Sequence, residues 1–242
     1  FGTTGEYYDS KIGPNWFDYY FLPVSLGGLK KLSTNANKTA LHWLNESQEF
    51  PNTHFIKTNN DTYHWLVQHH PERLTNREEI IALWSKYVHV RPEIEHQIQQ
   101  FVRANFESNF VIGIHYRGTD KSREAPRTKY EKVTEEIKHQ VALRNLSHYK
   151  IFVATDEQAF VSYLESEFPN KIMYLSDTER SKDGKPLHLN KQDQQYKIGK
   201  AALLDSLLLS KTDLLIRTSS NLSRWSTYFN PDLPVIELSK RH

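Results

Sequence analysis

The sequence Phe-Val-Ile-Gly-Ile-His-Tyr at residues 110–116 is a short apolar run without the alternation of a half-exposed strand. Such a run, rich in β-branched and aromatic residues, is typical of a strand that is buried on both faces of a sheet. Comparable runs occur at 150–155 (Lys-Ile-Phe-Val-Ala-Thr) and 213–218 (Asp-Leu-Leu-Ile-Arg-Thr), and shorter ones at 171–175 and 235–238. We therefore predict five strands in this half of the chain.

Amphipathic stretches that predict helices separate these strands, at 130–146, 157–168, 191–210 and 220–228. Strands that alternate with helices predict βαβ crossovers, and so an α/β fold with a Rossmann-type parallel sheet covered by helices on both faces. Ligands bind such sheets in the crevice beyond the carboxyl ends of the strands. The residues that follow the strands are therefore the candidates for a functional site.

The first part of the chain has a less regular texture, with many aromatic residues in clusters. We predict helices there at 38–49, at 75–88, where Thr75 and Glu78 form a capping box, and from Pro92 onward. The change of texture predicts two lobes that meet near residue 108.

The overall charge of the chain is nearly balanced. Its 242 residues include 31 basic and 29 acidic ones, for a net charge of +2. A dedicated nucleic-acid-binding domain usually has a clear basic excess, so this balance argues against such a partner. No apolar run approaches the roughly 20 residues of a membrane helix, so we predict no membrane span.

Cysteine is absent from the sequence. Its absence excludes a thiol nucleophile, a zinc–thiolate site and disulfide bonds, and it favours a reducing compartment. The chain begins at Phe1 rather than Met and has no signal-peptide pattern, so we expect that a segment upstream has been removed. These features favour a cytoplasmic location without fixing it.

Charged residues cluster where the first predicted strand ends: His115, Arg117, Asp120 and Lys121 fall within seven residues. An arginine can donate two parallel hydrogen bonds to a phosphate, and a lysine can add a second positive charge. Gly118 between them permits close approach of the backbone. The alternative interpretation is a solvated charged turn, but the position at a strand end favours an anion-binding site.

Polar residues also follow the next strands. Thr155 and Asp156 either line the same pocket or cap the following helix. His188 lies in a polar loop, where an ordinary surface histidine is the alternative interpretation. Asp205 interrupts an apolar stretch of a predicted helix and therefore needs a partner, either the loop of the next strand or the edge of a base.

The fourth long strand is followed by Thr218, Ser219 and Ser220, which precede a short predicted helix. Hydroxyl groups and backbone N–H groups at a helix N-terminus form a site for an anion such as a phosphate. The alternative interpretation is ordinary helix capping.

Three of these stretches, in this order, resemble motifs of the superfamily of α1,6-fucosyltransferases and protein O-fucosyltransferases, which includes the nodulation fucosyltransferases. The first is 112–121, a hydrophobic strand that ends in His-x-Arg-x-x-Asp-Lys. The second is 152–156 (Phe-Val-Ala-Thr-Asp), and the third extends over 204–224. The resemblance is close over about 80–238 and loose over 1–79.

This resemblance implies a GT-B architecture and an inverting transfer of fucose from GDP-fucose to a glycan acceptor, without an essential metal or other cofactor. It implies that residues 109–242 form the nucleotide-sugar-binding lobe and residues 1–108 an acceptor-side lobe. We expect the acceptor-side lobe to be incomplete, because the glycine-rich strand and turn that open the family fold are missing before Phe1.

The resemblance also implies roles for single residues. Arg117 matches the arginine that binds the β-phosphate of GDP, and His115 matches a histidine of the donor pocket. Asp205 matches the aspartate that hydrogen-bonds the guanine or orders that wall of the pocket. Ser219 and Ser220 match the pair of hydroxyl residues at the diphosphate.

Lys121 matches a lysine close to the reacting atoms, but the sequence departs from the family pattern at two nearby positions. Some members carry a second arginine where this chain has Gly118. The acid–base glutamate of the family corresponds to Glu124 only if the spacing changes by one residue. Asp120 is therefore the alternative base.

Other functions stay open at this point. The same fold can use another nucleotide sugar, since fold does not fix substrate. A catalytically inactive module that binds a nucleotide or a glycan is a second alternative, made plausible by Gly118. A metal-dependent phosphohydrolase built on His115, Asp120 and Asp156 is disfavoured, because no ligand spacing typical of a metal site supports it.

Overall fold

The computed structural model describes residues 8–23, 77–118, 127–176, 178, 180–181, 194–218 and 220–238. Its contacts divide the chain into two compact units, one of Phe1–Pro23 with Val88–His242 and one of Val24–Tyr87. The helix predicted at 38–49 lies outside the described residues. The boundary predicted at residue 108 between two functional lobes stays a prediction.

The elements alternate along the chain as predicted. In the described part, the helices are α1 (Phe17–Tyr20), α2 (Arg77–Tyr87), α3 (Pro92–Asn105), α4 (Tyr130–Leu143), α5 (Gln158–Glu167), α6 (Gln195–Leu209) and α7 (Asn221–Phe229). The strands are β1 (Phe110–Tyr116), β2 (Tyr149–Thr155), β3 (Ile172–Met173), β4 (Leu214–Arg217) and β5 (Val235–Glu237). The first strand has the predicted bounds, and the other elements differ mainly at their ends.

The five strands form one parallel sheet with the order β3-β2-β1-β4-β5. The chain therefore runs outward from β1 to one edge, returns to the centre, and continues from β4 to the other edge. This reversal places a topological switch point between β1 and β4, where open α/β sheets bind their ligands. The predicted α/β fold with a parallel sheet is confirmed.

Each face of the sheet has its own hydrophobic core. Helices α1, α3 and α6 pack on one face, and helices α4 and α5 pack on the other. Side chains of β1 alternate between the two cores, because successive residues of a strand point to opposite faces. Val111 belongs to the α6 side, whereas Ile112, Ile114 and Tyr116 belong to the α4–α5 side.

Gly113 brings helix α6 close to the centre of the sheet. A Cβ at this position would lie 2.7 Å from Thr212 Oγ1 and 3.1 Å from Leu209 Cδ2. Real Cβ atoms essentially never come within 3.0 Å of another heavy atom, so a larger residue here would require Thr212 and Leu209 to shift. The absence of a side chain at Gly113 thus allows α6, which carries Asp205, to pack closely on β1.

The aromatic cluster near the start of the chain belongs to the core on the α6 side. Tyr19, Tyr20 and Phe21 are buried there, and the ring of Tyr20 stacks on that of Tyr196 with centroids 5.6 Å apart. A backbone hydrogen bond of 2.9 Å from Arg91 to Tyr20 ties this segment to the start of α3. These rings pack in the core, so they are not a surface for stacking sugars.

Within the described residues, no helix combines the length and the apolar character that crossing a bilayer requires.

Candidate functional site

The carboxyl ends of β1 and β4 are joined by two hydrogen bonds. The backbone N–H of Thr218 donates to the carbonyl of His115 at 3.0 Å. The backbone N–H of Arg117 donates to Thr218 Oγ1 at 3.1 Å. Tyr116 is also in register with Thr155 on β2. The three strand ends therefore meet at one edge of the sheet, as the sequence predicts.

Helix α7 begins beside this turn, and Ser220 is its N-terminal flanking residue. The backbone of Ser220 is extended, and its side chain donates or accepts no capping hydrogen bond within the described structure. The first N–H groups of an uncapped helix need partners and attract an anion. The described geometry thus differs from the ordinary cap that was the alternative interpretation. The role of Ser220 at a diphosphate stays a prediction.

Thr155 and Asp156, which end β2, have local hydrogen-bond partners. Thr155 Oγ1 accepts from the backbone N–H of Glu157 at 3.2 Å. Asp156 Oδ1 accepts from the backbone N–H of Gly118 at 3.3 Å, and its carbonyl accepts from that of Ser181 at 2.8 Å. Neither contact is a helix cap, because the N-cap residue of α5 is Glu157 and the described residues give it no side-chain capping hydrogen bond. The contacts hold the turn after β2, and a donor-binding role for Thr155 or Asp156 stays a prediction.

Asp205 lies on helix α6 and is buried, with 6% of its surface exposed. Its neighbour one turn later, Leu209, approaches Gly113 of β1. One helical turn is about 5.4 Å, which is roughly the length of two strand residues. Because α6 runs antiparallel to the strands, Asp205 lies about one turn from Gly113 in the direction of His115. His115 is on the same face of β1 as Val111, the face covered by α6, because side chains alternate along a strand.

Burial raises the pKa of Asp205 to about 7, because a carboxylate is poorly solvated inside the protein. The positive charge of Arg180 opposes this effect and lowers the pKa. No hydrogen-bond donor among the described residues reaches Asp205 Oδ1. The protein therefore holds a carboxyl oxygen that lacks a described donor on the α6 side of the sheet.

Arg180 is held in place by the loop that follows β3. Its guanidinium donates to the carbonyls of Leu175 at 3.0 Å and Thr178 at 3.2 Å, and it lies 4.6 Å from the ring centroid of Tyr174. Burial lowers the pKa of Arg180, and the Asp205 carboxylate raises it. The charge of Arg180 therefore favours the ionised form of Asp205, and the role of Asp205 at the edge of a base stays a prediction.

Five of the predicted site residues lie outside the described residues: Asp120, Lys121, Glu124, His188 and Ser219. Their roles stay predictions. Among the residues that the structure does describe, no group of three or more histidine and acidic side chains is close enough to hold a metal ion.

Two ion pairs at the strand ends were not predicted from the sequence. Arg217, the last residue of β4, donates from Nη2 to Glu237 Oε2 at 2.7 Å, and 11% of the arginine side chain is exposed. Arg217 is in register with His115, so an arginine paired with Glu237 lies beside the switch point. The sequence indicates this arginine only as a charged residue at the end of an apolar strand.

The second pair joins Glu157, at the start of α5, to Arg127. Arg127 Nη2 donates to Glu157 Oε2 at 2.7 Å, and the hydroxyl of Tyr130 donates to the same oxygen at 2.6 Å. Glu157 is buried, with 4% of its surface exposed. Nothing in the local sequence distinguishes it from an acidic residue that opens a helix.

The parallel sheet, its switch point and the polar strand ends define an α/β lobe of the GT-B kind. A family model described as Nodulation protein Z (NodZ) matches residues 73–240, more than half of the chain. The chain belongs to this family of fucosyltransferases.

Sequence identity to individual relatives is low. Nodulation protein Z of Bradyrhizobium diazoefficiens is 30% identical over 162 residues, which is 62% of this chain and 42% of that protein. The match thus spans less than half of the relative. A crystal structure of NodZ α-1,6-fucosyltransferase soaked with GDP-fucose has a TM-score of 0.58 and 20% identity, over 93% of this chain and 80% of that one. Fucosyltransferase NodZ from Bradyrhizobium gives a TM-score of 0.56 with the same identity and the same coverage of both chains.

Proposed function

We propose that the protein is an inverting fucosyltransferase that moves fucose from GDP-fucose to a glycan acceptor without a metal ion. The observation that carries the proposal is the turn at the ends of β1 and β4. There the backbone N–H of Arg117 donates to Thr218 Oγ1 at 3.1 Å, next to the start of α7, for which the described residues supply no side-chain cap. A guanidinium beside a helix N-terminus is complementary to a diphosphate.

The chemistry of the transfer requires such a site. When the bond between the anomeric carbon and GDP breaks, negative charge develops on the β-phosphate. In an enzyme without a metal, fixed cations and N–H groups stabilise that charge, here Arg117, Lys121 and the turn at Ser219-Ser220. A single preorganised donor of this kind contributes about 3 kcal/mol, or roughly a hundredfold in rate.

The acceptor hydroxyl needs a base as it attacks the anomeric carbon. We assign this role to Glu124, with Asp120 as the alternative. In the sequence after β1, Asp120 immediately precedes Lys121 and Glu124 follows it. The hydroxyl attacks the face of the sugar opposite GDP, so the configuration inverts. The transition state resembles the oxocarbenium ion of glycoside hydrolysis.

Recognition of the base is assigned to the α6 side of the sheet, with Asp205 and His115. Guanine carries two N–H donors on one edge, and an ionised carboxylate accepts both. The oxygen of Asp205 that no described donor reaches is suited to that role. A uracil or an adenine lacks this pair of donors, so the same site discriminates against UDP and ADP.

The function is tested by calorimetric titration of the protein with GDP, GDP-fucose, UDP and ADP, each with and without EDTA. We expect GDP and GDP-fucose to bind equally well with EDTA, and UDP and ADP to bind more weakly. Transfer of labelled fucose to a panel of glycan acceptors is measured in parallel. Tight GDP binding without transfer or donor hydrolysis would favour a nucleotide-binding module instead.

We also expect GDP affinity to depend on pH through Asp205. Its pKa of about 7 in the free protein means that the carboxyl is largely protonated below neutral pH. Guanine requires the ionised form, so binding must release a proton at low pH and need not do so above pH 7. Affinity should therefore rise about tenfold per pH unit below pH 7 and level off above it.

The matched control for this pH dependence is Asp205→Asn, which is isosteric and cannot ionise. The phosphates of GDP titrate equally in both proteins, so the difference between the two pH profiles isolates Asp205. We expect the variant to bind GDP weakly and to lose the rise in affinity toward pH 7. Identical profiles for the two proteins would remove Asp205 from guanine recognition.

A further inference from the structure

Arg117 is the first residue after β1, and both peptide groups that flank its Cα atom are held by side chains of the neighbouring strand ends. Its own N–H donates to Thr218 Oγ1, beyond the end of β4, at 3.1 Å. The next N–H, that of Gly118, donates to Asp156 Oδ1, beyond the end of β2, at 3.3 Å. The two side-chain oxygens thus extend the hydrogen-bonding ladder of the sheet by one step on each side of β1.

These two hydrogen bonds restrain the direction of the Arg117 side chain. A peptide group is planar, so a residue has only two soft backbone dihedrals, φ and ψ. One hydrogen bond holds the peptide group before the Cα atom and the other holds the peptide group after it. Together they restrain both dihedrals, and with them the direction of the Cα–Cβ bond. We call Thr218 and Asp156 the amide clamp of Arg117.

The Asp156 half of the amide clamp is held in turn by the loop that follows β3. The carbonyl of Asp156 accepts from the N–H of Ser181 at 2.8 Å, and the N–H of Gln158 donates to the carbonyl of Ser181 at 3.1 Å. Ser181 is buried, with 5% of its surface exposed. The backbone of Asp156 is therefore fixed, so that its carboxylate meets Gly118 from a defined position.

The same arrangement requires a glycine at position 118. A Cβ added to Gly118 would overlap the Glu157 carboxyl group and lie 2.8 Å from its Oε2 atom. That carboxylate is itself held, because it accepts hydrogen bonds from Arg127 Nη2 at 2.7 Å and from the Tyr130 hydroxyl at 2.6 Å. A side chain at position 118 would therefore displace the peptide group that Asp156 holds.

We propose that Asp156 and Thr218 are positioning residues, which hold the two peptide groups around Arg117 and so orient its guanidinium toward the β-phosphate of the nucleotide. This inference rests on the proposed function, because that function assigns the β-phosphate of GDP to Arg117. Both N–H groups are already engaged, so this turn presents the guanidinium to the phosphate and not its backbone. Asp156 acts as a hydrogen-bond acceptor, and its negative charge is not required.

The first test compares a matched pair of variants at each half of the amide clamp. Thr218→Val and Asp156→Ala remove the acceptor oxygen, whereas Thr218→Ser and Asp156→Asn keep it. We expect the Kd for GDP to rise by about three- to tenfold in the first two variants, because a freely rotating arginine must then be ordered on binding. The serine and asparagine variants should bind GDP like the wild-type protein. A carboxylate that contacted the donor through its charge would instead make Asp156→Asn as weak as Asp156→Ala.

Binding of GMP separates a positioning role from a merely structural one. GMP lacks the β-phosphate that Arg117 is proposed to bind, so Thr218→Val and Asp156→Ala should lose affinity for GDP but keep their affinity for GMP. A variant that only loosens the fold around the nucleotide would lose affinity for both. The two affinities are measured by titration calorimetry, together with the midpoint of thermal unfolding.

Thr134→Val is the matched control for Thr218→Val. Thr134 is also buried, and its hydroxyl donates to the carbonyl of Glu131 at 2.9 Å in the first turns of α4. Losing that hydrogen bond should lower the thermal stability without changing the affinity for GDP or GMP. The comparison separates the loss of a buried hydroxyl group from the loss of the amide clamp.

A double-mutant cycle with Arg117→Ala tests whether the amide clamp acts through the guanidinium. In the Arg117→Ala background there is no side chain to orient, so adding Thr218→Val or Asp156→Ala should change the Kd for GDP very little. Two clamp positions keep the cycle decisive if one variant fails to fold. The inference is overturned if the clamp variants weaken GDP binding as much in the Arg117→Ala background as in the wild-type protein, or if they weaken GMP and GDP binding equally.

Failure of the proposed function has a different signature. A wild-type protein that binds GDP but transfers no fucose would contradict fucosyl transfer, and the affinities of the cycle would still decide the inference. A wild-type protein that does not bind GDP would overturn both.

Discussion

Replacing Glu124 with glutamine is expected to lower turnover by about 10²–10⁴-fold, the usual contribution of a positioned base. A glutamine side chain keeps the size of glutamate but cannot take the proton from the acceptor hydroxyl. GDP binding should be retained, because the base faces the acceptor and not the diphosphate. The measurement is transfer of labelled fucose to glycan acceptors, with hydrolysis of GDP-fucose by water measured in parallel.

Asp120→Asn is the necessary control, since Asp120 is the alternative base in the same segment. Lys121→Ala should behave differently from both, because a cation beside the leaving group acts on the bound and on the transition state alike. It should therefore weaken GDP binding as well as turnover. Full activity of Glu124→Gln together with an inactive Asp120→Asn would transfer the base role to Asp120.

The sheet could be predicted from the sequence because burial on both faces leaves a distinct pattern. The run at 110–116 has the same bounds in the structure as in the prediction. The ends of helices and strands were predicted less well where they depend on the backbone conformation of a single residue. Helix α4 stops at Leu143 instead of continuing to 146, because Asn145 adopts a positive φ of 50°, which a helix cannot accommodate.

The edge strand β3 shows a second limit. It was predicted over 171–175 but pairs only at Ile172 and Met173. The next two residues contact Arg180 instead of extending the strand. The ring of Tyr174 lies against the guanidinium, and the carbonyl of Leu175 accepts a hydrogen bond from it. An apolar pattern predicts a strand but does not tell where a tertiary contact will end it.

Proximity at the candidate site could be predicted where the sheet topology alone determines it. His115 lies near the end of β1, and Arg117 and Thr218 follow β1 and β4, so the parallel sheet brings the three together. Arg127 and Tyr130 are distant from Glu157 in the sequence, and each of the three alone has an ordinary local interpretation. Only the packing of α4 and α5 on the sheet reveals that Arg127 and Tyr130 meet at the Glu157 carboxylate.

Replacing Arg117 with alanine is expected to weaken GDP binding by about 1.5–3 kcal/mol, or roughly 10- to 150-fold, the range for hydrogen bonds to charged groups. The catalytic efficiency kcat/KM for GDP-fucose should fall by about 10²–10³-fold, because charge on the leaving diphosphate is greatest in the transition state. The fold should survive, since Arg117 joins Thr218 through its backbone N–H, which the substitution keeps.

Two control variants separate the effect of net charge from the effect of the hydrogen bonds that Arg117 donates. Arg103→Ala removes the same charge from an exposed position on α3, so it reports the effect of net charge alone, which we expect to be small and to vanish at high salt. Arg117→Lys keeps the charge but loses the two-pronged hydrogen bond, and it should recover only part of the affinity. Titration calorimetry at two salt concentrations separates these contributions. Unchanged GDP affinity in Arg117→Ala would contradict the assignment, because the diphosphate would then be bound without the arginine that follows β1.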